Sequence, residues 1–265
     1  MLFVHPCDLE GDPALLDPAL EPFFDEGLIH DVIRPLASGK EAMIWLCRAN
    51  PLLTGEDIVV AKTYRSSAVR DFADSAAYLD GRFRKVTSQV RAMQKKNKPG
   101  REFSQSFWVA HEFGTLTTLH EAGCPVPRPI ASADRGMLLQ YLGEGDASAP
   151  QLRELRPDAE EAAEILTVLL RVIERFLLRD VIHADLSPYN VLWWDEQPWI
   201  IDFPQAVDAR FNSSAKQFLR RDVLRLCEWA AKHGADTPDP EGFADDLWTS
   251  WEFASLVPDE LRDFN

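Results

Sequence analysis

Three oxygen-bearing side chains in the second half of the chain follow one another in an order that suits phosphoryl transfer. The stretch His183-Ala-Asp-Leu-Ser-Pro-Tyr-Asn190 contains Asp185 and Asn190, and Ile200-Ile-Asp202 follows it. Phosphoryl transfer needs a carboxylate that orients the attacking hydroxyl and accepts its proton, and it needs hard oxygen ligands for a divalent metal ion. Asp185 suits the first role, whereas Asn190 and Asp202 suit the second.

Turn and helix-capping roles are the alternative interpretation, because Asp, Ser and Asn all favour such positions. Strands are predicted over 191–194 and 199–203, with Asp195-Glu-Gln-Pro198 as the turn between them. A hairpin of this kind brings Asn190 and Asp202 to the same edge. The order of the three groups about one hairpin therefore favours the chemical interpretation. His183 is expected to brace the loop rather than to react.

A lysine at the end of an apolar strand is the second signal. Val59-Val-Ala-Lys62 resembles the V-A-I-K strand whose amine reaches nucleotide phosphates. Alone, it is better explained as a solvent-exposed lysine on an edge strand. A phosphate-binding lysine of this type is held by a helix glutamate, and Glu112 is the first choice, with Glu102 and Glu121 as alternatives.

The third signal is a glycine turn, Ser38-Gly39-Lys40, between two short predicted strands. A glycine lets backbone amides approach phosphate groups closely. The turn is not a Walker A sequence, because Glu41 stands where Ser or Thr is required after the lysine. Alone it is a hairpin turn, but Lys62 on the neighbouring strand favours a nucleotide-binding role.

The spacing of apolar residues predicts mostly strands in the first half of the chain and mostly helices in the second half. Strands are predicted at 32–33, 42–46, 58–61 and 137–142, a mobile loop at 82–106, and helices at 107–121, 158–179 and 216–231. The expected domains are an N-terminal extension (1–30), an α+β domain (31–235) and an acidic tail (236–265). The domain divides into a strand-rich N-lobe (31–138), a hinge (139–143) and a helical C-lobe (144–235). Trp248, Trp251 and Phe253 are expected to anchor the tail on the C-lobe.

Composition excludes several other classes of protein. The 265 residues are 46% hydrophobic and 27% charged, with a formal charge of −15, which is typical of a globular domain rather than a disordered or collagen-like chain. The four cysteines are dispersed and form no Cys-x-x-Cys pair, so we expect buried reduced thiols rather than a disulfide framework. No lysine or arginine precedes Arg34, which disfavours export and transit signals and predicts a cytoplasmic protein with no membrane contact.

Positive charge is concentrated in one segment. Residues 62–101 contain eleven Lys and Arg against three Asp. The preferred interpretation of this charge is a solvated loop and helix face. The second interpretation is an anion-binding patch for phosphate or for RNA, ribosomal RNA included.

Together, these motifs resemble the RIO family of atypical protein kinases, specifically its RIO-one-like branch. The matching stretches lie in the family's order over roughly 32–230: Ala37-Ser-Gly-Lys-Glu-Ala42, Val60-Ala-Lys-Thr-Tyr-Arg65, Glu112-Phe-Gly-Thr-Leu116, Ala122-Gly-Cys-Pro-Val-Pro127, His183 to Leu192, Ile200-Ile-Asp-Phe-Pro-Gln205 and Phe218-Leu-Arg-Arg-Asp222. The Lys-rich tail of eukaryotic members is replaced by an acidic one, which favours a bacterial member.

The resemblance implies a two-lobed kinase fold without the usual activation loop and substrate-binding helices. It implies ATP-dependent phosphorylation of serine or threonine, on the chain itself or on a protein substrate, with Mg²⁺ or Mn²⁺ as cofactor. Lys62 would contact the ATP phosphates, and the backbone of Leu142 would meet the adenine. Asp202 would also form an aspartyl-phosphate, which would allow ATP hydrolysis.

Two other functions share part of this pattern. Small-molecule phosphotransferases of the aminoglycoside or choline kinase type also contain H-x-D-x-x-x-x-N followed by I-D. An ATP-switched ribosome-assembly factor would use the basic segment 62–101 and ATP hydrolysis to release its partner.

Overall fold

The computed structural model describes residues 17–39, 41–65 and 98–256, with side chains from residue 106 onward in the last range. These residues form two compact units. The first contains 17–39, 41–65, 98–117 and 127–141, and the second contains 118–126 and 142–256. The first unit is built on a β-sheet and the second is mainly helical, which confirms the predicted α+β class of a kinase-like fold.

A five-stranded antiparallel sheet forms the first unit, with strand order β1-β2-β3-β5-β4. Its strands are β1 (Ile29–Ser38), β2 (Ala42–Ala49), β3 (Ile58–Tyr64), β4 (Pro129–Ala133) and β5 (Gly136–Gln140). β3 is central and pairs with both β2 and β5, so a residue on it is supported from two sides. β4 was not predicted, and β5 ends at Gln140 rather than at residue 142.

The chain before the sheet contributes to the core of this unit. A 3-10 turn (Pro18–Leu20) leads into helix α1 (Glu21–Asp25). Leu20 and Phe23 are buried and pack with Ile29, Val59 and Leu138 of the sheet. A second short helix, α2 (Pro51–Thr54), joins β2 to β3 and ends at Gly55, whose φ of 76° suits a glycine.

The helix that carries Glu112 begins earlier than its sequence pattern predicts. We expected a loop over 82–106 and a helix over 107–121, whereas helix α3 spans Lys98–Glu121. Residues 98–106 are therefore helical, and the rest of the predicted loop lies outside the described residues. Apolar periodicity missed these nine residues, about two and a half turns of helix, because 98–106 contains few apolar residues to mark a buried face.

Three helices dominate the second unit: α4 (Ala159–Leu177), α5 (Ala215–Lys232) and α6 (Pro240–Glu252). The Asp158 carboxylate caps α4 by accepting hydrogen bonds from the amides of Glu160 and Glu161, and the Asp158 amide donates to the Glu161 carboxylate. The remaining short strands are β6 (Gly143–Glu144), β7 (Ala147–Ser148), β8 (Val181–Ile182), β9 (Val191–Trp194), β10 (Gln197–Ile200) and β11 (Val207–Asp208), with a 3-10 turn at Leu152–Glu154.

The predicted hairpin is present, but its turn is shorter than expected. Only Asp195 and Glu196 form the turn, both with positive φ (51° and 58°), while Gln197 and Pro198 belong to β10 and pair with β9. Two successive left-handed residues are typical of a type I′ turn, which usually contains Asn-Gly. Asp-Glu lacks the glycine that usually marks such a turn. Pro198 was predicted to lie in the turn but belongs to β10.

The C-terminal region packs on α5 through α6. Ala244 and Leu247 are buried, and the indole rings of Trp248 and Trp251 lie 4.8 Å apart. The prediction for Phe253 is wrong: the residue is 77% exposed and lies just after the last residue of α6, Glu252. Among the described residues, no helix is both long and apolar enough to cross a bilayer.

Candidate functional site

Lys62 and Glu112 form a buried ion pair within the first unit. Lys62 lies on the central strand β3, between Ile44 of β2 and Met137 of β5. Its Nζ atom is 2.7 Å from Oε1 of Glu112 on α3. The structure therefore joins Lys62 to the first-choice glutamate rather than to Glu121.

The glycine turn is closed by its own backbone. The Gly39 amide donates to the Ala42 carbonyl at 2.9 Å, which completes the hairpin between β1 and β2. The Ser38 hydroxyl accepts a hydrogen bond from the Arg65 guanidinium at 2.8 Å. Lys40 lies outside the described residues. Ser38 is therefore tied to the end of β3, a contact that the sequence did not suggest.

The loop that carries Asp185 is held by a buried carboxylate on α5. Asp222 accepts hydrogen bonds from the amides of Ala184 (2.8 Å) and Leu186 (3.0 Å), the two neighbours of Asp185. Ala184 has a φ of 64°, an unusual conformation for a residue with a Cβ atom. The two hydrogen bonds stabilise this conformation and fix the backbone on both sides of Asp185.

The Asp185 side chain and carbonyl also have specific partners. Arg225, one turn after Asp222 on α5, donates to Asp185 Oδ1 at 2.7 Å. The Asn190 Nδ2 group donates to the Asp185 backbone carbonyl at 3.0 Å. Asp185 and Asn190, five residues apart in sequence, are thus in direct contact.

Asp202 is joined to the same loop through its neighbour. The Ile201 amide donates to the Asn190 carbonyl at 3.0 Å, and the His183 ring nitrogen Nε2 lies 3.0 Å from the Ile201 carbonyl. Because the Asp185 amide donates to His183 Nδ1, Nε2 is the protonated nitrogen and donates to Ile201. Asp202 has a φ of 72°. The structure thus brings the backbones that carry Asn190 and Asp202 together.

The donor set at this point fits a hard divalent cation. The Nδ2 group of Asn190 donates a hydrogen bond to the Asp185 carbonyl, so the side-chain oxygen of Asn190 remains available as an acceptor. An amide oxygen and a carboxylate are ligands that Mg²⁺ accepts, with phosphate oxygens and water completing its shell. No group of three or more His, Cys, Asp or Glu side chains suited to a metal occurs in the described part of the chain. A metal site that takes most of its ligands from a bound triphosphate does not need three such protein side chains.

Comparisons with known proteins match these residues to one family. The RIO domain family model matches residues 50–243. The RIO-type serine/threonine-protein kinase Rio1 of Haloferax volcanii is 30% identical over 222 residues, covering 82% of this chain and 69% of the relative.

The chain belongs to the RIO domain family. The RIO-type serine/threonine-protein kinase Rio1 of Thermoplasma acidophilum is 29% identical over 189 residues, covering 71% of this chain and 92% of that protein. Serine/threonine-protein kinase RIO1 of Caenorhabditis elegans is 26% identical over 264 residues, covering 94% of this chain but only 49% of the nematode protein. The chain therefore spans about half the length of that relative.

Family membership confirms the resemblance drawn from the motifs. The names of these relatives support an atypical protein kinase function for this RIO chain. Kinases in general use ATP and a divalent metal ion.

Leu142 is the remaining predicted site residue of this RIO chain. It is buried at the first position of the second unit, directly after Tyr141 ends the first. Its carbonyl accepts a hydrogen bond from the Ala149 amide at 2.9 Å.

Asp222 and Arg225 have no role predicted from the sequence, although Asp222 is the last residue of one of the RIO motifs. Asp222 lies on the buried face of α5, between Leu219 and Val223. A carboxylate on an apolar helix face must find buried donors, which is the signal that could have identified it. Burial raises its pKa to about 7, against the opposing effects of the two amide hydrogen bonds and of the Arg221 and Arg225 charges.

Proposed function

We propose that this chain is an ATP-dependent serine/threonine protein kinase that phosphorylates itself or a protein substrate. The observation that carries the proposal is the fixed position of Asp185. Its two neighbouring amides are bound by Asp222, its carbonyl by Asn190 and its carboxylate by Arg225. A carboxylate held this firmly, in a loop that also contacts the backbone of Ile201 next to Asp202, suits the orientation of an attacking hydroxyl.

The transfer step assigns one role to each predicted residue. The acceptor oxygen forms a bond to the γ-phosphorus while the bond from phosphorus to the β–γ bridging oxygen breaks. ADP leaves with that electron pair, and the hydroxyl proton passes to Asp185. Lys62, held by Glu112, contacts the ATP phosphates, and the turn at 38–40 and the Leu142 backbone contact the nucleotide.

Asn190 and Asp202 are the residues that would hold Mg²⁺, or Mn²⁺ in its place. When bound, the ion neutralises the phosphate oxygens. The Asn190 amide is already oriented for this role by its Nδ2 hydrogen bond to Asp185.

We propose ATP hydrolysis through Asp202 as an accompanying activity, on the basis of the family resemblance. In this route an Asp202 oxygen forms the new bond to the γ-phosphorus and ADP leaves. Water then attacks the phosphorus and releases inorganic phosphate, which restores the carboxylate.

Labelled ATP distinguishes these activities. Purified protein with Mg²⁺ and γ-labelled ATP should release ADP and acquire acid-stable label on serine or threonine. Label on Asp202 should be released by hydroxylamine and should be lost in Asp202→Asn, whereas Asp208→Asn, six residues further on in an exposed pair with Arg210, should retain it. Label found only on an added small alcohol would favour a small-molecule phosphotransferase, and the absence of both ADP and labelled product would overturn the proposal.

We also propose a cytoplasmic location, supported by three free buried thiols, Cys47, Cys124 and Cys227. Contact with ribosomal or other RNA through 62–101 remains a prediction, since residues 66–97 lie outside the described ranges. Cell fractionation and RNA pull-down with and without ATP test these two points.

A further inference from the structure

Arg225 on α5 has one side-chain hydrogen-bond partner among residues 17–39, 41–65 and 98–256, and that partner is Asp185. The Arg225 NH1 group donates to Asp185 Oδ1 at 2.7 Å. The two side chains are 36% and 39% exposed. A pair this accessible to water adds little to folding stability, because solvent screens it and both side chains lose rotamer freedom. Its effect on the reacting group can therefore be separated from any effect on the fold.

The helix that carries Arg225 also fixes the backbone of Asp185. Asp222, three residues earlier and one turn away, binds the amides of Ala184 and Leu186. Residues three apart on a helix share a face, so one face of α5 holds both the backbone and the carboxylate of Asp185. The backbone bonds place the residue, and the bond from Arg225 sets the rotation of its carboxylate.

The consequence is that the two carboxylate oxygens of Asp185 differ. Oδ1 is occupied by the guanidinium, whereas Oδ2 accepts no hydrogen bond from the part of the chain that the structure describes. A guanidinium retains its charge, so its hydrogen bond to Oδ1 favours one orientation of the carboxylate about its last torsion. In that orientation Oδ2 is the oxygen left for the acceptor hydroxyl.

We infer that Arg225 is a positioning residue for Asp185, which holds Oδ1 so that Oδ2 meets the proton of the acceptor hydroxyl. The inference rests on the proposed function. Arg225 does not touch the reacting atoms; it acts through Asp185. Loss of the guanidinium should lower the rate of transfer without weakening ATP binding, because misplacement of a catalytic group by about 1 Å can cost about 100-fold in rate.

Three variants of Arg225 and one matched control test this role. Arg220 lies on the same helix, is similarly exposed and forms a two-pronged pair with Asp245, remote in sequence from the loop of Asp185. We expect Arg225→Gln to lower kcat about 10- to 100-fold with KM for ATP within about twofold of wild type. Arg220→Gln should keep wild-type kcat. Both variants should keep the wild-type melting temperature.

Two further readouts separate positioning from a general structural effect. Arg225→Lys should recover part of the rate, and guanidinium ion added to Arg225→Ala should raise its kcat. The double variant Asp185→Asn/Arg225→Gln should be no slower than Asp185→Asn alone, since residues that act through one another are not additive.

The possible outcomes distinguish failure of the role of Arg225 from failure of the proposed kinase function. Equal kcat for Arg225→Gln and Arg220→Gln in an active protein would overturn the inference alone, as would fully multiplicative losses in the double variant. A wild-type protein that transfers no phosphate and releases no ADP would overturn the proposed function, and this inference with it.

Discussion

The Lys62 ammonium group lies 2.7 Å from the Glu112 carboxylate, and only 7% and 1% of these two side chains are exposed. The ammonium group also lies 5.2 Å from the centre of the Tyr64 ring. Two opposite charges this deeply buried are stable only together, because each loses its hydration. The pair therefore affects both folding and any phosphate chemistry that uses the lysine.

Replacement of Lys62 by Met should destabilise the protein, because it removes the ammonium group that lies 2.7 Å from the buried Glu112 carboxylate. We expect the free energy of unfolding to fall by about 3–5 kcal/mol. Urea denaturation followed by tryptophan fluorescence measures this change. Phosphoryl transfer should be lost in the same variant.

The double variant Lys62→Met/Glu112→Leu is the control for this effect. Removal of both charges should recover most of the lost stability, since apolar residues can replace a buried ion pair at little cost. It should nevertheless remain inactive. A double variant as unstable as the sum of the two single variants would contradict a coupled buried pair.

Replacement of Asp222 by Asn should loosen the loop around Asp185. The new amide nitrogen cannot accept a hydrogen bond, so the amide of Ala184 or Leu186 loses its acceptor. We expect a loss of about 1–3 kcal/mol in the free energy of unfolding at pH 6, together with a lower kcat. Asp245→Asn, which changes an exposed pair with Arg220, is the matched control and should leave both quantities nearly unchanged. Equal effects in the two variants would show that Asp222 has no special role.

The same carboxylate should make folding stability depend on pH. Burial raises the pKa of Asp222 to about 7 from 3.8, so the folded state holds this proton more tightly than the unfolded state does. Its contribution to stability is complete below pH 3.8 and is lost as pH rises through about 7. The slope for one proton is at most about 1.4 kcal/mol per pH unit.

Urea titrations of the wild type and Asp222→Asn between pH 4.5 and 8 isolate this contribution. We predict that the stability advantage of the wild type shrinks as pH rises, because the variant has no proton to lose at this position. A difference between the two proteins that stays constant with pH would refute the raised pKa.

The buried cysteines should react slowly with thiol reagents in the folded protein. Burial raises the pKa of Cys47 to about 12 and also raises the pKa of Cys124 and Cys227. The thiolate is the reactive form. These thiols are therefore protected twice, because reagents cannot reach them and because they stay protonated. We expect at most one of the four thiols of the chain to react rapidly with a disulfide reagent at pH 8, and all four after unfolding in guanidinium chloride. Rapid reaction of three thiols in the folded state would contradict the burial.

Helices α4 and α5 were predictable because their apolar residues repeat at helical spacing, whereas α6 lies in the segment predicted only as an acidic tail. The predicted helix over 158–179 matches α4 to within two residues at each end, and its start is marked by the Asp158 capping box. Helix α3 was predictable only where its residues pack, so its polar first turns were missed. Apolar periodicity predicts the part of a helix that has a buried face, and it does not predict turns that lack one.

For the candidate site, the sequence identified the candidate side chains but not the side chains that hold them in place. Asp185, Asn190 and the backbone of Ile201 next to Asp202 do come together, since local spacing and one hairpin determine their positions, although the strand predicted to Phe203 ends at Ile200. The pairing of Lys62 with Glu112 spans fifty residues, so Glu121 could not be excluded in advance. Asp222 and Arg225 act on Asp185 from 36 to 40 residues away, and only the packing of α5 against the loop reveals them.

A single-turnover measurement with γ-labelled ATP and Mg²⁺, comparing the wild type with Asp185→Asn, tests the central claim most directly. The variant preserves the shape of the side chain and the backbone bonds to Asp222, but it cannot accept the hydroxyl proton. We predict transfer about 10²–10⁴-fold slower than wild type, with unchanged ATP affinity. Transfer at the wild-type rate in Asp185→Asn would contradict the assignment of Asp185 as the proton acceptor.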